Sequence, residues 1–153
     1  MPNIEDPDFR PREGAPPGFR AFRARVGYEL GSERLGASVW KLPPGEAAYP
    51  YHFHYSDEEL LFVLSGRPTL RTPAGEEQLG PWDVVCFPRG PEGAHGVRNE
   101  TDETARVLMF STVVLPTATV YPDSDKVGIW TGDEATDVVV RRSSRVEYYD
   151  GET

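Results

Sequence analysis

The chain is poor in several residues whose scarcity narrows what it can be. It has one cysteine, Cys86, so no internal disulfide can form, and a reducing cytoplasm is the expected compartment. Long apolar runs are missing: short stretches such as Val107 to Phe110 are far from the length needed to cross a bilayer. The opening Met1-Pro-Asn-Ile-Glu-Asp lacks a basic segment followed by an apolar one, so no secretory signal is expected. Positive charge is also in deficit, with 16 Lys and Arg against 25 Asp and Glu and a net charge of −9. Such a surface repels phosphate backbones and anionic lipid, which argues against nucleic acid and membranes as partners.

What is abundant is punctuation. Glycine and proline number 15 each in 153 residues, a composition that weakens helix interiors and suits strands joined by tight turns. The first 18 residues are rich in Pro, Asp, Glu and Arg and read as an extended or mobile arm. Residues 19–153 then carry strand-like segments: 19–30, 36–42, 49–54, 59–65, 68–71, 83–87, 94–99, 105–114, 120, 126–130 and 137–142. Turn signals such as Pro43-Pro44-Gly45, Thr72-Pro73-Ala74-Gly75 and Arg89-Gly90-Pro91 separate them. Only Asp133 to Thr136 invites a helical turn. The expected class is a single all-β domain, a sandwich or barrel.

Histidine is scarce too, and its placement carries chemistry. Two of the three form His52-Phe53-His54, and the third is His95. Alternate residues of a strand share a face, so His52 and His54 point the same way, as two ligands of one ion must. The turn Tyr55-Ser56-Asp57 then leads into Glu58-Glu59-Leu-Leu-Phe-Val-Leu, and a hairpin here returns a carboxylate toward the imidazoles. Glu59 is in phase with Leu61 and Val63, Glu58 with Leu60 and Phe62. Both faces are apolar, so phase alone does not choose between them.

The run from Gly45 through His52-Phe-His54 and Glu59 to Gly66 resembles the first motif of the cupin superfamily. Its step to glycine singles out Glu59. The second motif is matched more loosely, by Pro88, Gly90, His95 and Asn99, with longer gaps before Pro88 and His95 than the family pattern has. The resemblance implies a double-stranded β-helix, or jelly-roll barrel, holding one divalent metal on His52, His54, Glu59 and His95. Three imidazoles and a carboxylate suit Fe, Mn, Ni, Cu or Zn, and on an octahedral ion they leave two positions open for a small molecule. The competing reading makes the same four residues hydrogen-bonding side chains of a barrel without metal.

Other residues carry weaker signals. With every histidine assigned to the metal, a proton-transferring group would be Glu58, a tyrosine or metal-bound water. Arg71 is a candidate anion clamp, although an outward strand arginine is the commoner situation. Tyr49, Tyr51, Phe53, Trp82 and Phe110 are candidates for the cavity wall, and Asp123 or Lys126 could reach a neighbouring site from a turn. Cys86, inside Val84-Val-Cys-Phe87, reads as a buried small hydrophobe. The functional expectation is a metal-dependent dioxygenase-, isomerase- or lyase-type enzyme for a small polar organic molecule. The alternative is a cupin that binds or senses a small ligand without turnover, and a storage-type role fits badly with four intact ligand positions. A homodimer is expected, because barrel edges need cover.

Overall fold

Alternation along the strands decides which side chains enter the core. In Glu59–Ser65 the residues Leu61 and Val63 are fully buried, whereas Leu60 and Phe62 face outward. A computed structural model describes residues 3–153, so the first two residues of the arm lie outside the described residues. Its strands are β1 (Arg10–Pro11), β2 (Phe22–Ala24), β3 (Leu35–Leu42), β4 (Phe53–His54), β5 (Glu59–Ser65), β6 (Thr69–Thr72) and β7 (Gly75–Gln78). There follow β8 (Val84–Phe87), β9 (Gly96–Arg98), β10 (Ala105–Thr112), β11 (Thr117–Tyr121), β12 (Lys126–Trp130) and β13 (Val138–Arg141). One helical turn, α1 (Val26–Glu29), lies between β2 and β3.

All strand pairs are antiparallel. They form a six-stranded sheet in the order β1-β2-β3-β10-β5-β8, a four-stranded sheet β13-β12-β11-β4 and a three-stranded sheet β7-β6-β9. Neighbours distant in sequence, such as β3 with β10 and β4 with β11, give the double-stranded β-helix. Two isolated antiparallel bridges, Ala47 with Arg98 and His52 with His95, add to these pairings. The main core gathers Leu42, Leu61, Val63, Leu70, Phe87, Val97, Val107 and Met109, with Tyr49 against it.

Four local expectations need correction. Residues 26–29 are helical rather than strand, with the Leu30 amide bonded to the Val26 carbonyl. Gly27 permits this turn to press on β3, since a Cβ there would stand 2.8 Å from the Ala37 nitrogen. The arm is extended, as one of its two readings had it, but anchored rather than mobile, because Arg10–Pro11 pairs with Phe22–Arg23. The polar segment Gly75–Gln78 pairs as a strand with β6 although nothing in its side chains signals burial. Cys86 is exposed: β8 turns Val85 and Phe87 inward, so Val84 and Cys86 face out. Asp133 to Thr136 forms a hydrogen-bonded turn, as expected.

Candidate metal centre

Three chain segments converge on one point inside the barrel. His52 is fixed by reciprocal backbone hydrogen bonds to His95, with N···O distances of 3.0 and 2.8 Å. His54 ends β4, which pairs with β11 through His54 and Thr119. Glu59 begins β5 on the inward face, in phase with Leu61 and Val63, while Glu58 is exposed. Ligand atoms of His52, His54 and Glu59 all lie within 4.8 Å of one another. The His95 Nε2 stands 3.2 Å from Glu59 Oε2, and the His54 Nε2 stands 3.4 Å from the same oxygen.

The tautomers follow from the partners. A carbonyl oxygen only accepts, so His52 Nδ1 donates to Pro50 O at 2.9 Å and His95 Nδ1 donates to Gly93 O at 2.9 Å. Both Nε2 atoms are thereby turned to the cluster. His54 Nδ1 meets Thr119 Oγ1 at 3.0 Å, an oxygen that also accepts from Trp130 Nε1 at 2.9 Å. The Phe87 ring lies flat on His95, centroids 3.8 Å apart, and Tyr49 sets its edge against His52 and His95. Outer contacts of this kind fix ring orientation before an ion arrives.

The residues fit a divalent cation. Glu59 Oε2 and His95 Nε2 are buried and have no hydrogen-bond partner, a costly condition that an ion relieves. His52 is pushed down to about 3, first by burial and then by the neighbouring His95 and His54, so it is neutral near pH 7. Burial acts to raise the Glu59 carboxyl, but the facing His54 and His95 hold it below the usual carboxylate range. Neutral imidazoles and an ionised carboxylate are the forms that bind metal.

Residues 38–111 match the family model of the cupin domain. This segment of the chain is a cupin domain. A provisionally named sugar phosphate isomerase from Acidithiobacillus ferrooxidans superposes on this cupin with TM-score 0.82 and 25% identity, covering 94% of this chain and 92% of its own. A cupin-superfamily sugar phosphate isomerase from Silicibacter pomeroyi gives TM-score 0.82 at 22% identity, covering 98% of each chain. A polyketide cyclase from Streptomyces resistomycificus gives 0.57 at 25%, covering 69% of this chain and 74% of its own. No curated protein matches the sequence.

The cluster opens into a cavity of about 360 Å³. Its wall contains Tyr49 and Tyr121, Trp40, and the cations Arg12, Arg23 and Lys126. Tyr121 stacks near His52, with ring centroids 5.8 Å apart. Burial raises both tyrosines, Tyr49 the more strongly, so each keeps its phenolic proton at neutral pH. Neither Glu58 nor Arg71 is brought to this cavity. Arg71 instead makes a bidentate pair with Asp123, at 2.5 and 2.9 Å, and lies 4.0 Å over the Tyr51 ring. Trp82 and Phe110 point away from the cavity, Phe53 belongs to a separate small core, and Tyr51 lines the adjoining groove. Arg12, Arg23 and Tyr121 were not legible as site residues, for each becomes one only when distant strands are juxtaposed.

Proposed function

We propose that this cupin is a metal-dependent enzyme acting on a small polar organic molecule. The orphaned pair Glu59 Oε2 and His95 Nε2, buried beside His52 and His54 at the floor of a cavity, carries the reading. His52, His54, Glu59 and His95 would hold one divalent first-row ion, Fe, Mn, Ni, Cu or Zn. When bound, the ion supplies a Lewis acid for substrate oxygens. Around it the chain positions and shields: Trp40, Tyr49 and Met109 form an apolar wall, and the protonated Tyr121 phenol can donate a hydrogen bond to a substrate oxygen. Isomerisation of a sugar phosphate is the first reaction to test, since two proteins matching nearly the whole chain bear that name. Dioxygenase and lyase chemistry follow in the same screen.

Elemental analysis of protein purified without chelator is expected to find about one transition-metal equivalent per chain. Turnover of aldose and ketose phosphates by that protein, lost on chelation, would support the enzyme. A full metal complement with no turnover across sugar phosphates, catechols and diketones, together with a ligand detected by thermal shift, would overturn it in favour of a binding protein.

A homodimer belongs to the same proposal. Outward residues of adjacent strands align in two cross-strand rows, Ala37, Phe110, Leu60, Cys86 and Val39, Leu108, Phe62, Val84. The arm and α1 cover one end of this face through Phe9 and Val26, leaving Val84 54%, Leu60 38% and Phe110 38% exposed. A second copy of the chain, related by a twofold axis, would cover the remainder. Cytoplasmic placement is proposed from the single exposed thiol.

A further inference from the structure

Charge is unevenly spent in this protein. Against a net charge of −9, the cavity above the metal cluster collects Arg12, Arg23 and Lys126, and its wall contains one carboxylate, Glu59, turned to the histidines. Among the described residues none of the three cations makes an ion pair. Arg23 Nε donates to Ser38 Oγ at 3.0 Å and its guanidinium lies 5.1 Å from the Trp40 ring centre. Lys126 sits 5.3 Å over Tyr121, its partner across the β11–β12 hairpin. Arg12 follows β1 directly and also lines a second groove of about 490 Å³, as does Lys126.

Such a cluster is self-repelling. Arg23 is pushed down to about 10, first by burial and then by Arg25 and Arg12, and remains cationic near neutrality. Carboxylates relieve it only in part: Glu59 acts on Arg23 from the histidine cluster, Asp123 is engaged by Arg71, and Glu13 lies in the outer groove. Unpaired cations gathered over an open cavity are the complement of an anionic group.

We propose that Arg12, Arg23 and Lys126 form a subsite for a dianionic phosphomonoester group, with Arg12 delivered by the N-terminal arm. Three cations match a dianion better than a single carboxylate, and the Ser38 hydroxyl beside Arg23 adds a polar neighbour. The inference rests on the enzyme reading for the identity of the molecule, but the subsite itself needs no metal. The substrate places its phosphate at the mouth and its oxygens toward the histidines.

Titration calorimetry with inorganic phosphate tests this on the full chain as purified, on His54→Ala, and on Arg12→Ala and Lys126→Met. The last two change side chains at the cavity mouth, so folding is expected to survive and circular dichroism checks it. Phosphate affinity is expected to persist in His54→Ala and to fall about tenfold in each cation variant, the scale of one lost charge-assisted hydrogen bond. Arg67→Ala, which removes an exposed arginine that bonds Gln78 and lines neither the cavity nor the groove, leaves the affinity unchanged. Loss of phosphate binding in His54→Ala, with none in the cation variants, would assign the anion to the metal and overturn the subsite while the metal reading stands. Absence of phosphate binding by the wild-type chain at millimolar concentration overturns it as well.

Discussion

At the scale of single residues, the site is built from side chains whose second atoms are already committed. His52 and His95 give their Nδ1 protons to backbone carbonyls, and His54 meets Thr119. His54 is the least buried of the three imidazoles, so His54→Ala is expected to abolish metal content while leaving the far-ultraviolet circular dichroism of the barrel intact. Metal retained at full stoichiometry would remove His54 from the ligand set. Tyr121→Phe deletes one phenol and is expected to lower kcat/KM by roughly tenfold without loss of metal, read by steady-state kinetics beside elemental analysis. Asn99 was legible as part of a motif, but its work was not. It is 1% exposed, donates to the carbonyls of Leu42 and Glu103, and accepts from the Thr101 amide and hydroxyl. Asn99→Ala removes these four hydrogen bonds and is expected to cost about 2–4 kcal/mol in urea denaturation.

At the scale of elements, glycines decide how closely strands approach. Gly66 ends the first motif with φ +76°, and a Cβ there would stand 2.6 Å from the Ala105 Cα. Gly66→Ala therefore combines a left-handed backbone with a collision at the start of β10 and is expected to destabilise by about 2 kcal/mol or more, visible as a lowered Tm. The motif glycine was readable in the sequence, whereas the neighbour that forbids a side chain came from a strand nearly forty positions later. The same limit explains 26–29: its residues suit a strand, and the hydrogen bonds back to Arg25 and Val26 with close packing on β3 make it helical. It also explains Glu59 over Glu58. Strand phase left two equal faces, and the pairing of β5 between β8 and β10 determined which one looks inward.

At the scale of the whole molecule, the outward apolar rows and the cation-lined cavity define opposite requirements, one for cover and one for access. Light scattering at micromolar concentration is expected to give twice the chain mass, and Val84→Lys with Phe110→Glu to give a monomer. A wild-type monomer would sink the dimer. No helix among the described residues is long and apolar enough to cross a membrane.

The sequence by itself determined the all-β class, because two-residue alternation and turn chemistry are local properties, and its resemblance to the cupin motifs implied the ligand set His52, His54, Glu59 and His95, where alternation alone left Glu58 and Glu59 open. Only the tertiary structure decided that the arm is pinned and carries Arg12 to the cavity, that Arg71 is spent on Asp123, and that Cys86 faces out. The reason is physical: a charge or thiol acquires its role from neighbours contributed by other strands, and antiparallel pairing across long sequence separations sets those neighbours.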